Sequence, residues 1–249
     1  MKGRTSPLAV IPARANSSRF PNKVIAKINA KPMVQYVWES AGRAKSLNKI
    51  IIATDDETIA HVVRQFGGEA VMTPSNLATG TDRVAFVARQ HDDAEIIVNL
   101  QGDEPLLPPS AIDALVELLS SQPEFDMATL AVRQTSSADL QNPNIVKVVT
   151  AYNGAALYFS RSPLAISTEG GFLKHIGIYA FRRSALMRFC ALPVSPLEQV
   201  ERLEQLRALE NGFKIAVHEI TTDTIAVDIP SDISKVESFL SKPESKWLE

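Results

Sequence analysis

Cysteine is nearly absent from this 249-residue chain. The single thiol, Cys190, excludes an internal disulfide and fits a reducing compartment. Long apolar runs are missing too, and none approaches the ~20 residues that a membrane-spanning helix needs. The apolar stretch after residues 1–6 is too short for a signal peptide. Residues 1–7 therefore read as a flexible extension, and the cytoplasm as the compartment. There is no basic excess: 26 Lys plus Arg face 28 Asp plus Glu. That balance gives no support for nucleic-acid binding, which needs a basic surface. No His and Cys stand at zinc-ligand spacing, and no G-x-S-x-G marks a serine hydrolase. Repeats, low-complexity tracts and Gly/Ser/Pro-rich linkers are also lacking. So are both glycine-rich phosphate fingerprints, G-x-G-x-x-G and G-x-x-x-x-G-K-[ST].

What is present alternates. Apolar runs at 8–13, 49–54, 69–73 and 95–100 read as buried strands. Between them lie helical faces: Met33, Val37 and Ala41, with Trp38 beside them, then Ile59, Val62, Val63 and Phe66 closed by Gly67-Gly68. Pro108-Pro109-Ser110 opens a further helix, with Ser110 as its cap. Strands alternating with helices mean βαβ units and a mainly parallel sheet with helices on both faces. The second half is richer in short β segments, at 126–132, 146–150, 155–160 and 176–181. A long helix follows over 196–209, stopped by Gly212, then a strand at 215–220 and a last helix after Pro230. A single α/β domain over 8–249 is expected, with a β-rich elaboration over about 126–210.

Charged and polar residues fall where such a sheet binds ligands, outside the carboxyl ends of its strands. Arg14, Arg19 and Lys23 follow the first strand in "PARANSSRFPNK". Arginine grips phosphate with paired hydrogen bonds and lysine adds a point charge, so the loop suits a polyanion such as a triphosphate. A solvated basic loop is the plainer reading. "VNLQGDEP" puts Gln101, Gly102 and Asp103 at another strand end. Asp103 can hold Mg2+, which favours one or two carboxylates plus substrate phosphates, and Gly102 allows close approach by a ligand. Asp228, in "VDIPSD", also ends an apolar run and could share that metal, although a solvated turn aspartate explains it as well. Asp232 reads as helix-start chemistry. "GTDR" offers Gly80, Thr81 and Arg83 to a base edge, or Thr81 as a helix cap. His175, flanked by apolar residues, reads as a satisfied core histidine. Glu198, Glu201, Glu204, Gln205 and Arg207 read as the solvated face of an amphipathic helix with Leu197, Val200, Leu203 and Leu206 inward.

In this order, "IPAR..SSRFP.K", "ATDD", "GTDR", "VNLQGDEP", "VKVV", "ALYFSR", "HIGIYAF" and "SPLE..E.LEQLRALE.G" resemble the 3-deoxy-manno-octulosonate (Kdo) cytidylyltransferases. The resemblance runs from Leu8 to about Leu240. It implies a Rossmann-like nucleotide-diphospho-sugar transferase fold with a dimerisation elaboration, and a homodimer. It also implies CTP plus Kdo, or 8-amino-Kdo, giving a CMP-sugar and pyrophosphate for lipopolysaccharide synthesis. Arg14, Arg19 and Lys23 would hold the triphosphate; Gly80, Thr81, Arg83 and Gln101 the cytidine; Asp103 and Asp228 the Mg2+. Arg161, His175, Tyr179, Glu204 and Gln205 would line the sugar pocket. A sialic acid as acceptor, or a nucleotide-binding regulator without catalysis, is the alternative. The chain departs from the family in the first loop, where P-G-K-P is Pro21-Asn22-Lys23-Val24. Asn22 can take the left-handed conformation, and loss of the second proline is expected to loosen the loop. Asn29-Ala30-Lys31-Pro32 replaces N-G-K-P. After Arg161 the chain runs Ser162-Pro163-Leu164-Ala165 where the family has serine–proline–isoleucine–proline.

Overall fold

The protein's structure, a computed structural model, describes residues 6–15, 20–164 and 171–242. The chain divides into two compact units, one of Met1–Val116 with Thr224–Glu249 and one of Glu117–Asp223.

In the first unit β1 (Leu8–Ala13) leads into a loop and a short 3-10 turn, Lys23–Ile25. A two-residue hairpin, β2 (Lys27–Ile28) and β3 (Lys31–Pro32), precedes α1 (Met33–Arg43). Then come β4 (Lys49–Thr54), α2 (Glu57–Gln65), β5 (Glu69–Met72), α3 (Gly80–Ala88) and β6 (Ile96–Asn99). The four longer strands pair in parallel in the order β6-β1-β4-β5. Leu8 to Ile11 and Ile96 to Val98 are buried in unbroken runs, because a parallel strand covered on both faces has no polar side to alternate with. α4 (Pro109–Ser121) begins at Pro109, so Pro108, not Ser110, stands at its cap; the Pro108 carbonyl accepts from the Ala111 N–H. Proline fits the first helical position because the missing N–H has no intrahelical partner there.

The second unit continues with β7 (Met127–Gln134), α5 (Ser137–Gln141), β8 (Lys147–Thr150), β9 (Ala156–Ser160) and β10 (Phe172–Arg182). α6 (Arg183–Cys190), α7 (Pro196–Glu201), α8 (Gln205–Glu210) and β11 (Ile215–Ile220) complete it. β10 pairs antiparallel with β7 and β8, and β11 pairs parallel with β7, so this sheet is mixed. The helix expected over 196–209 is two helices, because Arg202 turns left-handed at φ 55°. The break splits the apolar stripe: Leu203 and Leu206 are buried, whereas Val200 is 80% exposed. The break is bridged by charge rather than solvated. Arg207 on α8 donates from Nε and Nη2 to both oxygens of Glu198 on α7, at 2.7 and 2.6 Å. Gly212, at φ 76°, ends α8 as expected.

The chain then returns to the first unit. α9 (Asp232–Leu240) contributes Val236 to a cluster with Ile28, Met33, Tyr36, Leu106 and Val227. Among the described residues no helix is long and apolar enough to cross a membrane.

Candidate active site

The carboxyl ends of β1 and β6 open into a cleft of about 600 Å³, solvent included. Arg14 and Lys23 reach it from the loop after β1, Gly80 and Arg83 from α3, and Gln101, Gly102 and Asp103 from the turn after β6. All seven of these sequence-derived candidates therefore converge. Arg19 lies outside the described residues.

Asn22 takes φ 55°, ψ 25°, and its N–H donates to the Ala15 carbonyl at 3.1 Å. Val24 stands where the family has the second proline. It is buried, and a Cβ placed on Gly102 would come within 3.2 Å of its Cγ1. Gly102 thus packs closely on Val24 and Pro12 while it lines the cleft. The hairpin turn survives, with Asn29 at φ 46° and Ala30 at φ 67°, the two positive angles that a type I′ turn requires. The Asn29 N–H donates to Glu237 of α9 at 2.9 Å.

Lys23 lies between two carboxylates. Its Nζ is 2.5 Å from Asp103 and 3.8 Å from Asp228. The Val227 N–H donates to the Asp103 carbonyl at 2.9 Å, joining the two segments that bear the aspartates. Asp232 sets the second segment: its Oδ2 accepts from the N–H groups of Asp228 and Ile229, at 3.0 and 3.1 Å. Burial alone would raise the Asp232 pKa, but Lys235 and those N–H groups outweigh it and hold the carboxyl below its ordinary range. Asp232 therefore orients the loop before the helix as well as opening α9. Two carboxylates that already share one ammonium suit a hard divalent cation completed by phosphate oxygens. Among the described residues no cluster of three or more His, Cys, Asp or Glu offers a richer metal cage.

Arg83 is almost fully buried. Its Nη2 donates to Asp55 at 2.8 Å and its Nη1 to Thr73. Asp55 went unread in the sequence; the adjacent aspartates of "ATDD", directly after β4, were the available signal. Thr81 does not cap α3. Thr79 does, in a reciprocal capping box with Asp82. Thr81 instead accepts from Asn99 Nδ2 at 3.3 Å, while Asn99 Oδ1 accepts from Gln101 Nε2 at 3.1 Å. This relay ties the start of α3 to Gln101.

The sugar-pocket candidates lie in the second unit. His175 is buried against Phe159, with ring centroids 4.9 Å apart. Thr129 Oγ1 lies 2.8 Å from the Ile178 carbonyl and 2.9 Å from His175 Nε2. A carbonyl only accepts, so the hydroxyl proton goes there and His175 carries its proton on Nε2. Burial pushes its pKa down to about 3, so the ring stays neutral. Tyr179 stacks at 5.6 Å from His175, and burial followed by the Glu204 carboxylate pushes its phenol well above the ordinary value. Gln205 is buried, and its Nε2 has no hydrogen-bond partner among the described residues. Glu201 is not a solvated helix residue: it accepts from the Ser160 hydroxyl and the Arg161 N–H, at 2.7 and 2.8 Å.

Residues 8–215 match the cytidylyltransferase family. The chain is 48% identical over 233 residues to a 3-deoxy-manno-octulosonate cytidylyltransferase of Solibacter usitatus, with 92% of each chain covered. It is 47% identical over 238 residues to an 8-amino-3,8-dideoxy-manno-octulosonate cytidylyltransferase of Shewanella halifaxensis, covering 93% of this chain and 97% of the other. Among solved structures, a CMP:2-keto-3-deoxy-manno-octonic acid synthetase complexed with CTP superposes with a TM-score of 0.90 at 39% identity, covering 95% of this chain and 99% of that one. The fold is accordingly the mixed, mainly parallel sheet with helices of the nucleotide-diphospho-sugar transferases. The chain belongs to the 3-deoxy-manno-octulosonate cytidylyltransferase family.

Proposed function

We propose that this protein transfers the cytidylyl group of CTP to Kdo or 8-amino-Kdo, releasing pyrophosphate and supplying a CMP-sugar for lipopolysaccharide synthesis. The observation that carries the reading is Lys23 beside Asp103 and Asp228 at a cleft that also holds Arg14. Arg14, Arg19 and Lys23 bind the triphosphate. Gly80, Thr81, Arg83 and Gln101 serve the cytidine side. Asp103 and Asp228 hold Mg2+, which when bound neutralises charge on the phosphate oxygens. Arg161, His175, Tyr179, Glu204 and Gln205 bind the acceptor. Its anomeric hydroxyl attacks the α-phosphorus, a new P–O bond forms, the bond to the β-phosphate oxygen breaks, and the hydroxyl proton is lost. Fixed cations stabilise the charge that moves to the leaving group, so positioning and electrostatics do most of the work. His175, held neutral, contributes hydrogen bonding and shape rather than charge.

Residues 8–249 act in this reading as one catalytic domain in the cytoplasm, with 126–210 as the acceptor-binding and dimerisation elaboration. A homodimer is supported by where most of the large exposed apolar side chains of the described residues fall: Tyr152, Leu157, Val194, Leu197 and Val200 belong to the second unit, whereas only Met72 and Ile229 belong to the first. A pyrophosphate-release assay with CTP, Mg2+ and a panel of ulosonic acids tests the function. Turnover is expected with Kdo or 8-amino-Kdo. Turnover only with a sialic acid would reassign the acceptor, and CTP binding without any product would make the protein a regulator.

A further inference from the structure

Lys147 is the largest fully buried side chain of the described residues, with 1% of its surface exposed. A lysine in such a place usually has a carboxylate partner. This one donates instead to two backbone carbonyls, Asn142 at 2.7 Å and Arg161 at 2.9 Å. Burial, and then the Arg161 charge, pull its pKa below the ordinary value, with Glu201 opposing.

The other bonds of Arg161 close a ring around it. Its N–H donates to Glu201 Oε2 at 2.8 Å, and its Nε to the Glu201 carbonyl at 2.9 Å. Its Nη1 donates to the Pro143 carbonyl at 3.1 Å. Glu201 is itself held by the Ser160 hydroxyl at 2.7 Å. Residues 142 and 143 thus face Lys147 and Arg161 with successive carbonyls. Arg161 is fixed at its backbone N–H, its carbonyl, its Nε and one Nη1 hydrogen. A guanidinium has five N–H donors, so among the described residues one on Nη1 and both on Nη2 remain. Those two nitrogens form the end of the fork that takes a carboxylate with two parallel bonds.

We propose that Lys147 and Glu201 are positioning residues that clamp Arg161 so that its open fork receives the carboxylate of the sugar-acid acceptor. The inference rests on the assignment of Arg161 to the acceptor. A rotamer-rich arginine that is free in solution must be ordered on binding, and the clamp removes that cost in advance. Neither residue needs to touch the substrate.

The test is steady-state kinetics of the full-length enzyme with CTP and Kdo, with thermal melting of each variant alongside. Arg161→Ala examines the assignment: it should raise the acceptor KM while leaving the CTP KM near wild type. Lys147→Met keeps the length and removes the donors. It should raise the acceptor KM about tenfold, a size typical of misplaced binding groups, with the CTP KM unchanged. Glu201→Ala should do the same, whereas Glu201→Gln, which can still accept from the Arg161 N–H, should restore most of the affinity. If Lys147→Met is poorly folded, the Glu201 pair carries the test alone. An unchanged acceptor KM in Arg161→Ala overturns the assignment and the clamp with it. A raised KM in Arg161→Ala with normal values in Lys147→Met and Glu201→Ala overturns the clamp alone. Equal damage to both substrates' KM values also overturns it, since that is the mark of a general structural defect.

Discussion

The two units differ in the charge at their candidate sites. In the first, ionic groups gather at an open cleft: Lys23 contacts Asp103 directly and serves a second carboxylate, Asp228, with 55% of its side chain exposed. In the second, surface pairs such as Arg133–Glu219 stay in water, but the inner charges are locked or abolished. Glu198 and Arg207 are paired with 12% and 7% of their side chains exposed, Lys147 is spent on carbonyls, and His175 is neutral. An open ionic cluster can exchange partners when a triphosphate and a cation arrive, because solvent screens each step. A locked network cannot, but it holds a recognition group still. Under the proposed assignment, nucleotide chemistry and acceptor recognition call for these two different physics.

The contrast is broken most severely at Asp103. Asp103→Asn should lower turnover by about 1,000-fold while changing CTP binding little, because charge stabilisation at the reacting phosphate is used mainly in the transition state. Single-turnover kinetics beside equilibrium CTP binding will show it, and unchanged turnover would remove the metal assignment. Next comes the locked pair. Glu198→Ala leaves Arg207 buried without its bidentate partner, which should cost about 3 kcal/mol in urea unfolding. A loss under ~1 kcal/mol would mean that the pair behaves like a surface ion pair.

His175 supplies a third measurement. Its pKa falls from 6.5 unfolded to about 3 folded, so between those values the unfolded chain binds a proton that the folded chain refuses. Its contribution to stability is complete above pH 6.5 and is lost as pH falls towards 3, at ~1.4 kcal/mol per pH unit. Unfolding midpoints at pH 7 and pH 5 should differ less in His175→Gln than in the wild type. An identical pH dependence in the two proteins would refute the buried neutral ring. The smallest effect belongs to the hairpin at Asn29-Ala30. Ala30 at φ 67° is strained by its Cβ, so Ala30→Gly should stabilise by ~1 kcal/mol, read as a higher melting temperature. A lower one would show that the turn is not where the departure from the family is felt.

The parallel strands were legible because burial on both faces writes an unbroken apolar run, and α1 and α2 because their stripes are strong. α6 was not, since Arg182-Arg183 joins it to β10 without a turn residue. The break at Arg202 carries no glycine or asparagine to announce it. The cleft residues Arg14, Lys23 and Asp103 could be read from strand-end position and charge. Glu201 and Lys147 could not, because a charged residue at helical or strand spacing looks solvated until the chain is folded over it. Asp228 needed topology: only the folded chain shows it sharing Lys23 with Asp103, which lies 125 residues earlier.

That long return has a consequence for biosynthesis. The first unit is discontinuous, and its second piece starts at Thr224. A ribosome that has completed 223 residues has made the basic loop, Asp103 and the whole second unit, but not Asp228. Folding during synthesis proceeds from the N-terminus, so the nascent chain holds one carboxylate beside Lys23 until the last segment emerges. The two aspartates proposed to hold the cation therefore come together only after residue 228 has emerged.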